Sequence, residues 1–119
     1  MAGWRRRAMA AVLAVALPGG ALAGAVPRDT ALSALAELYA SYYVNERCNF
    51  VVAADEAFVA DVEHYLITEA ALARPDLDAV YLEARRVASV GPCDAAQRRR
   101  VLSAYDLYRK RYGDAGRPR

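Results

Sequence analysis

Only a few residues in this sequence are of types that do chemistry, and most lack the partners that chemistry requires. Cys48 and Cys93 are the only cysteines and stand 45 positions apart. No C-x-x-C pair is present, so thioredoxin-like exchange lacks its basic part, and without C-x-x-C-H there is no haem attachment site. An even pair is most simply a single disulfide, a bond that belongs to oxidising compartments. Closing a loop of this length stabilises a fold by about 4 kcal/mol on loop-entropy grounds. Cys48 and Cys93 are therefore expected to act as a staple.

His64 is the only histidine. It falls about 200° round a helix from Val62, on the polar side. Asp61-x-x-His64 has the spacing of half a carboxylate di-iron site, but no second such pair exists to complete it. Glu69 lies inside an apolar stripe between Leu66 and Ala73, and Glu46 lies below Tyr39 and Tyr42. A carboxylate on a core face must be paired, hydrogen-bonded or protonated. Glu46 and Glu69 are thus candidate buried carboxylates, either structural or anchoring a small ligand. No phosphate-binding glycine loop, G-x-S-x-G elbow or calcium loop accompanies them. The expectation is a protein without catalytic residues, cofactor or metal.

Charge divides the chain. Residues 55–83 carry eight carboxylates against Arg74 alone, whereas residues 84–119 carry ten basic residues against three acidic ones. Arg98-Arg99-Arg100 recurs as Arg109-Lys110-Arg111, nearly three helical turns later. Such a face is either solvated and bridged to the acidic segment or a dock for an anionic partner. Arg99 and Lys110 mark its candidate contact points. Eight tyrosines against two phenylalanines add a second unusual feature. Tyr39, Tyr42 and Tyr43 share one helical stripe, and Tyr105, Tyr108 and Tyr112 another. Their rings are expected in the core and at its edge, and some are expected to line an interaction face.

The elements that must position these residues follow from periodicity. Apolar residues at three- and four-residue steps predict helices over about 30–47, 55–74, 76–90 and 94–112. Asp29 or Thr30 and Asp55 are the expected caps of the first two, and Pro75 the expected stop of the second. Gly91 suits a left-handed ending of the third, and Asp94 with Gln97 forms a capping box for the fourth. No segment alternates like a strand and no hairpin turn is present. The predicted fold is all-α, a small four-helix bundle of antiparallel neighbours stapled by Cys48–Cys93.

Residues 1–23 have a different character. Arg5, Arg6 and Arg7 precede the apolar run Ala8 to Leu17, followed by Pro18-Gly19-Gly20 and the small-x-small box Ala21-Leu22-Ala23. This is the pattern of a cleaved secretory signal, and the run is shorter than the roughly 20 residues a membrane span needs. Removing it turns a formal charge of +2 into 13 basic against 14 acidic residues, so the basic balance belongs to the export signal. Nucleic acid is not an expected partner. Residues 24–119 then form one helical domain. The excess of arginine over a single lysine, with abundant alanine, reads as a GC-rich bacterium, which places the protein in the periplasm or outside the cell.

An exported helical chain of this size with one long-range disulfide resembles, in layout, the small acid-stress chaperones of the enterobacterial periplasm. The likeness covers architecture; the tyrosine-rich helix ahead of Cys48 has no counterpart there, and no residue roles are carried across. The leading expectation is a non-enzymatic protein that binds a periplasmic or exported protein partner through its tyrosines and basic last helix. A stress chaperone opening at low pH and a small-ligand carrier are the alternatives, with weak contact to membrane headgroups a further possibility.

Overall fold

The computed structural model describes residues 26–114. The export signal expected at residues 1–23 lies outside them. The described residues are helical, with no strand among them. The elements are α1 (Arg28–Cys48), a single turn α2 (Ala53–Glu56), α3 (Phe58–Glu69), α4 (Arg74–Ala88) and α5 (Ala95–Tyr112). Four long helices were expected, and four are present. Their boundaries and packing differ in ways that matter for the site.

α1 starts from Pro27, whose carbonyl accepts the Ala31 N–H at 2.9 Å. Neither Asp29 nor Thr30 caps it; Asp29 sits in the first turn, where its charge opposes the helix dipole. The helix expected over 55–74 is two helices, α2 and α3, divided at Ala57, so Asp55 is a turn residue of α2 rather than a cap. α3 ends at Glu69, five residues early. Ala71 adopts a left-handed φ of 51°, its N–H bonds Thr68 O, and the Leu72 N–H reaches back to Ile67 O at 3.1 Å. That is a Schellman ending, sealed by buried Leu72. It is built on alanine where glycine would normally give the signal. α4 begins at Arg74, with Pro75 in its first turn and the Asp76 carboxylate accepting the Ala73 N–H. At α5 the expected cap is present, with Asp94 accepting the Gln97 N–H at 2.9 Å.

Direction follows from paired contacts. Glu37 meets Tyr108, and Cys48 meets Cys93, so α1 and α5 run antiparallel. Arg28 pairs with Asp76 while Arg47 reaches Ala88, so α1 and α4 run parallel. Phe58 on Tyr105 and Tyr65 near Tyr112 make α3 and α5 parallel as well. α1 is the axis of the molecule, packing on α4, α5 and α3, and α5 packs also on α3. Consecutive long helices thus alternate in direction, as the short connections predict, but the broadest packing is between the parallel pair α1 and α4 rather than between chain neighbours. α4 lies along α1 and touches α3 and α5 only slightly.

The reason is legible in the faces. α4 buries only Leu77, Ala84 and Ala88, a narrow stripe of mostly small residues that fits a single neighbour closely. α1 buries Ala31, Ala34, Leu35, Leu38, Ser41, Val44 and Asn45, a surface broad enough for several partners. The main core combines these with Phe58, Val59, Val62 and Leu66 of α3 and Val101, Ala104, Tyr105, Tyr108 and Tyr112 of α5.

Candidate functional site

Every tyrosine is at least partly buried, so their hydroxyls need partners. Two of the three on α5 find carboxylates. Tyr105 donates to Glu56 at 2.8 Å, and Tyr108 donates to Glu37. On α4, Tyr81 donates to Glu63 of α3, which Tyr39 also engages. Tyr39 lies 4.9 Å from Tyr81, centroid to centroid, and packs on Tyr42 and Tyr43. Arg85 caps that cluster, 4.6 Å above the Tyr43 ring. Burial first, and the facing carboxylates second, hold the Tyr39, Tyr81, Tyr105 and Tyr108 hydroxyls far above their ordinary pKa, while Tyr42 is raised in the same direction. These side chains join helices. Tyr105 and Tyr108 are buried in the core, which corrects their assignment to an interaction face; Tyr39 and Tyr43 are half-buried against Tyr81 and Arg85 of α4, and Tyr42 is half-buried beside them.

The candidate carboxylates also move. Glu46 is exposed, which corrects the expectation that it is buried, because α1 turns it past the core edge where Tyr42 reaches it. Glu69 is half-buried in the last turn of α3 and lines neither surface groove. Sequence periodicity missed the residues that hold these roles. Asn45, 2% exposed, donates to Val51 O and Glu56 at 2.9 Å each and accepts the Val51 N–H at 2.8 Å. Its short amide is the only sequence signal, a polar residue on an otherwise apolar stripe.

The staple is in place. Cys48 and Cys93 are bonded, with Cα atoms 5.5 Å apart. Arg47 reinforces it by donating to the carbonyls of Ala88 (3.1 Å), Gly91 (3.0 Å) and Val90 (3.3 Å). Its guanidinium also lies 3.5 Å from the Cys93 sulfur. The free carbonyls at the end of α4 are thus held by a side chain of α1. Gly91, at φ 98°, makes the turn that presents them.

Because α4 and α5 meet α1 on different sides, a groove opens between them, about 980 Å³ in volume. Ala40 and Val44 of α1 form part of its floor, Ala104 and Leu107 of α5 one wall, and Val87 and Val90 the other. Val87, Val90 and Leu107 are 41%, 67% and 39% exposed, three of the five large apolar side chains left in solvent among the described residues. Arg99 and Arg100 stand on the α5 edge. Lys110 lies elsewhere on α5 and pairs with Asp106 at 3.1 Å. The structure thus brings Arg99, but not Lys110 or the tyrosines, to this opening. A second, smaller groove of about 770 Å³ runs beside Phe50, Val52, Phe58 and Arg98.

His64 is exposed, and no cluster of metal-ligating side chains is found among the described residues. No described helix is long and apolar enough to cross a membrane. No protein-family model matches the chain, and neither a curated protein nor a solved structure is significantly similar to it.

Proposed function

We propose that this is an exported, non-enzymatic protein of the periplasm that binds a protein partner in the groove between α1, α4 and α5. The observation that carries the reading is the exposure of Val87, Val90 and Leu107 around one concave opening. Apolar side chains gathered in a rimmed concavity mark interaction sites, whereas scattered ones do not. Export is supported by the order of Arg5–Arg7, the apolar run and the Ala21-Leu22-Ala23 box, and by a disulfide that the cytosol would tend to reduce.

A photo-crosslinking residue placed at Leu107 or Val90, in cells that make the protein, tests the reading. One discrete crosslinked species from these positions, and none from Leu82 on the outer face of α4, is the expected result. Equal crosslinking from Leu82, or none from the groove, overturns it. The same cells fractionated should yield a periplasmic chain starting at Gly24.

The three glutamate–tyrosine ties favour a second reading, an acid-stress chaperone. Glu37, Glu56 and Glu63 each accept a tyrosine hydroxyl from another helix, so several helix–helix joints rest on the same carboxylate–phenol chemistry. Protection of a client enzyme from aggregation at low pH is the test; no protection ends that reading.

A further inference from the structure

The disulfide has two unlike halves. Cys93 is exposed in the segment between α4 and α5, whereas Cys48 is half-buried as the last residue of α1. The Arg47 guanidinium donates toward the Cys93 sulfur at 3.5 Å, and the carbonyls of Ala88, Val90 and Gly91 fix it in that position. We infer that Cys93 is a thiol-exchange site, the sulfur on which a low-molecular-weight thiol or disulfide forms its mixed disulfide, and that Cys48 is the sulfur that resolves it.

Exposed disulfides are the exchangeable ones, and the thiolate is the form of cysteine that exchanges. A fixed guanidinium beside Cys93 favours its thiolate. Two acids stand nearby. Asp94 follows Cys93 directly, but its carboxylate accepts the Gln97 N–H at the start of α5, where the helix end offsets its charge. Glu46 precedes Arg47 and is drawn to the Tyr42 hydroxyl. Cys48 has the opposite setting, because it closes α1 and the carbonyl end of a helix disfavours negative charge.

In the dithiol form, the Cys93 thiolate attacks one sulfur of an external disulfide RSSR, bonds to it and expels RS⁻. Cys48 gives its proton to water, attacks the Cys93 sulfur and expels the second RS⁻. Two protein thiols are thereby oxidised and one external disulfide is reduced to two thiols. Cα atoms 5.5 Å apart suit the second step. Reduction takes the same path backwards: an external thiolate attacks the exposed Cys93 sulfur, and Cys48 leaves. The Arg47 fork still holds the end of α4 while the bond is exchanged. Val90, Gly91, Pro92 and Asp94 line the groove, which places the exchangeable bond at its end.

The disulfide-bonded wild type is incubated with reduced glutathione, blocked with N-ethylmaleimide and digested with trypsin. Cuts after Arg47, Arg86 and Arg98 leave the two cysteines in separate peptides. The glutathione adduct should fall on Cys93 in about tenfold or greater excess. An adduct on Cys48, or equal amounts on both, would overturn the assignment. Single-thiol variants remove the resolving step. Folded Cys48→Ser should take up glutathione from its disulfide about tenfold or more faster than folded Cys93→Ser, and the two should react alike in urea. Arg47→Met in the Cys48→Ser chain should slow uptake about threefold or more in the folded protein only, and Arg47→Lys should restore part of it. Uptake indifferent to Arg47 would overturn the guanidinium's role, and equal rates in the two single-thiol variants would overturn that of Cys93. Circular dichroism verifies that each variant is folded; where one is not, the wild-type peptide ratio decides alone.

Discussion

The Tyr105 hydroxyl donates to the Glu56 carboxylate across the joint between α5 and the single turn α2, at 2.8 Å. Tyr105 is 2% exposed, and the same carboxylate oxygen accepts from the buried Asn45 amide at 2.9 Å. One short turn is thereby tied to α1 and to α5 at once. Without these bonds α2 has little to hold it, because it buries no residue of its own.

Tyr105→Phe leaves the ring packed and removes the donor. A hydrogen bond to a charged acceptor contributes about 1.5–3 kcal/mol, so the loss should fall in that range. Glu56→Gln should cost less, since an amide oxygen can still accept. A double-mutant cycle in urea should give a coupling energy of about 1 kcal/mol or more between the two positions. Additive single effects would mean that the bond contributes nothing in solution.

Arg47 should act on α4 from a distance in sequence. Arg47→Met keeps much of the stem and removes the donors that hold the Ala88, Val90 and Gly91 carbonyls. Those carbonyls can be hydrated, so the expected loss is modest, about 1–2 kcal/mol. Its signature is local. Amide exchange should accelerate in the last turn of α4 while the α5 core keeps its protection. Arg47→Lys should rescue little, because one ammonium cannot span three carbonyls as the planar fork does.

Cys48→Ser with Cys93→Ser tests the staple itself. Opening a loop of 45 positions should lower stability by roughly 2–4 kcal/mol, read as a lower urea midpoint with the helical circular dichroism retained in dilute buffer. Unchanged stability would show that Arg47 alone secures the end of α4.

How far the sequence reached is clearest at the ends of α3. The stripe Phe58, Val59, Val62 and Leu66 was readable because its period is strong, and so was the Asp94 cap, whose side chain does the capping. The halt at Glu69 was not, since Ala71 adopts the left-handed turn without the glycine that would announce it. The groove was hidden for another reason. Periodicity shows which face of a helix is apolar but not which neighbour that face selects, and the parallel docking of α4 on α1 depends on the fit of Ala84 and Ala88. Arg99 was identified from charge alone, whereas the exposure of Val87, Val90 and Leu107 carried no signal.

Ala71 offers a stabilising change. A left-handed alanine is strained by about 1–2 kcal/mol relative to its usual basins, and glycine is not. Ala71→Gly also frees the unfolded chain, which offsets part of the gain. The net expectation is a stabilisation of about 0.5–1 kcal/mol. A higher thermal midpoint, with Leu72 still buried, is the outcome to measure; a lower one would place Ala71 in ordinary helical angles and return α3 to its longer predicted span.

Alkaline pH should unfold the protein through its tyrosines. Burial, together with the glutamates facing them, raises the Tyr39, Tyr42, Tyr81, Tyr105 and Tyr108 hydroxyls above their ordinary value in the folded state. The unfolded chain ionises near pH 10 and so releases protons that the folded chain retains. Linkage then keeps this contribution intact below about pH 10 and removes it as pH rises further. Stability should be flat on the alkaline side until about that point and fall steeply beyond it. Phenolate absorbance should rise together with the loss of helical circular dichroism, because these hydroxyls titrate only when the helices part. Smooth titration of Tyr39, Tyr81, Tyr105 and Tyr108 in a chain that stays helical would refute the burial of their hydroxyls. Replacing Tyr105 and Tyr108 by Phe should soften the alkaline fall, and that comparison separates their contribution from general charge repulsion at high pH.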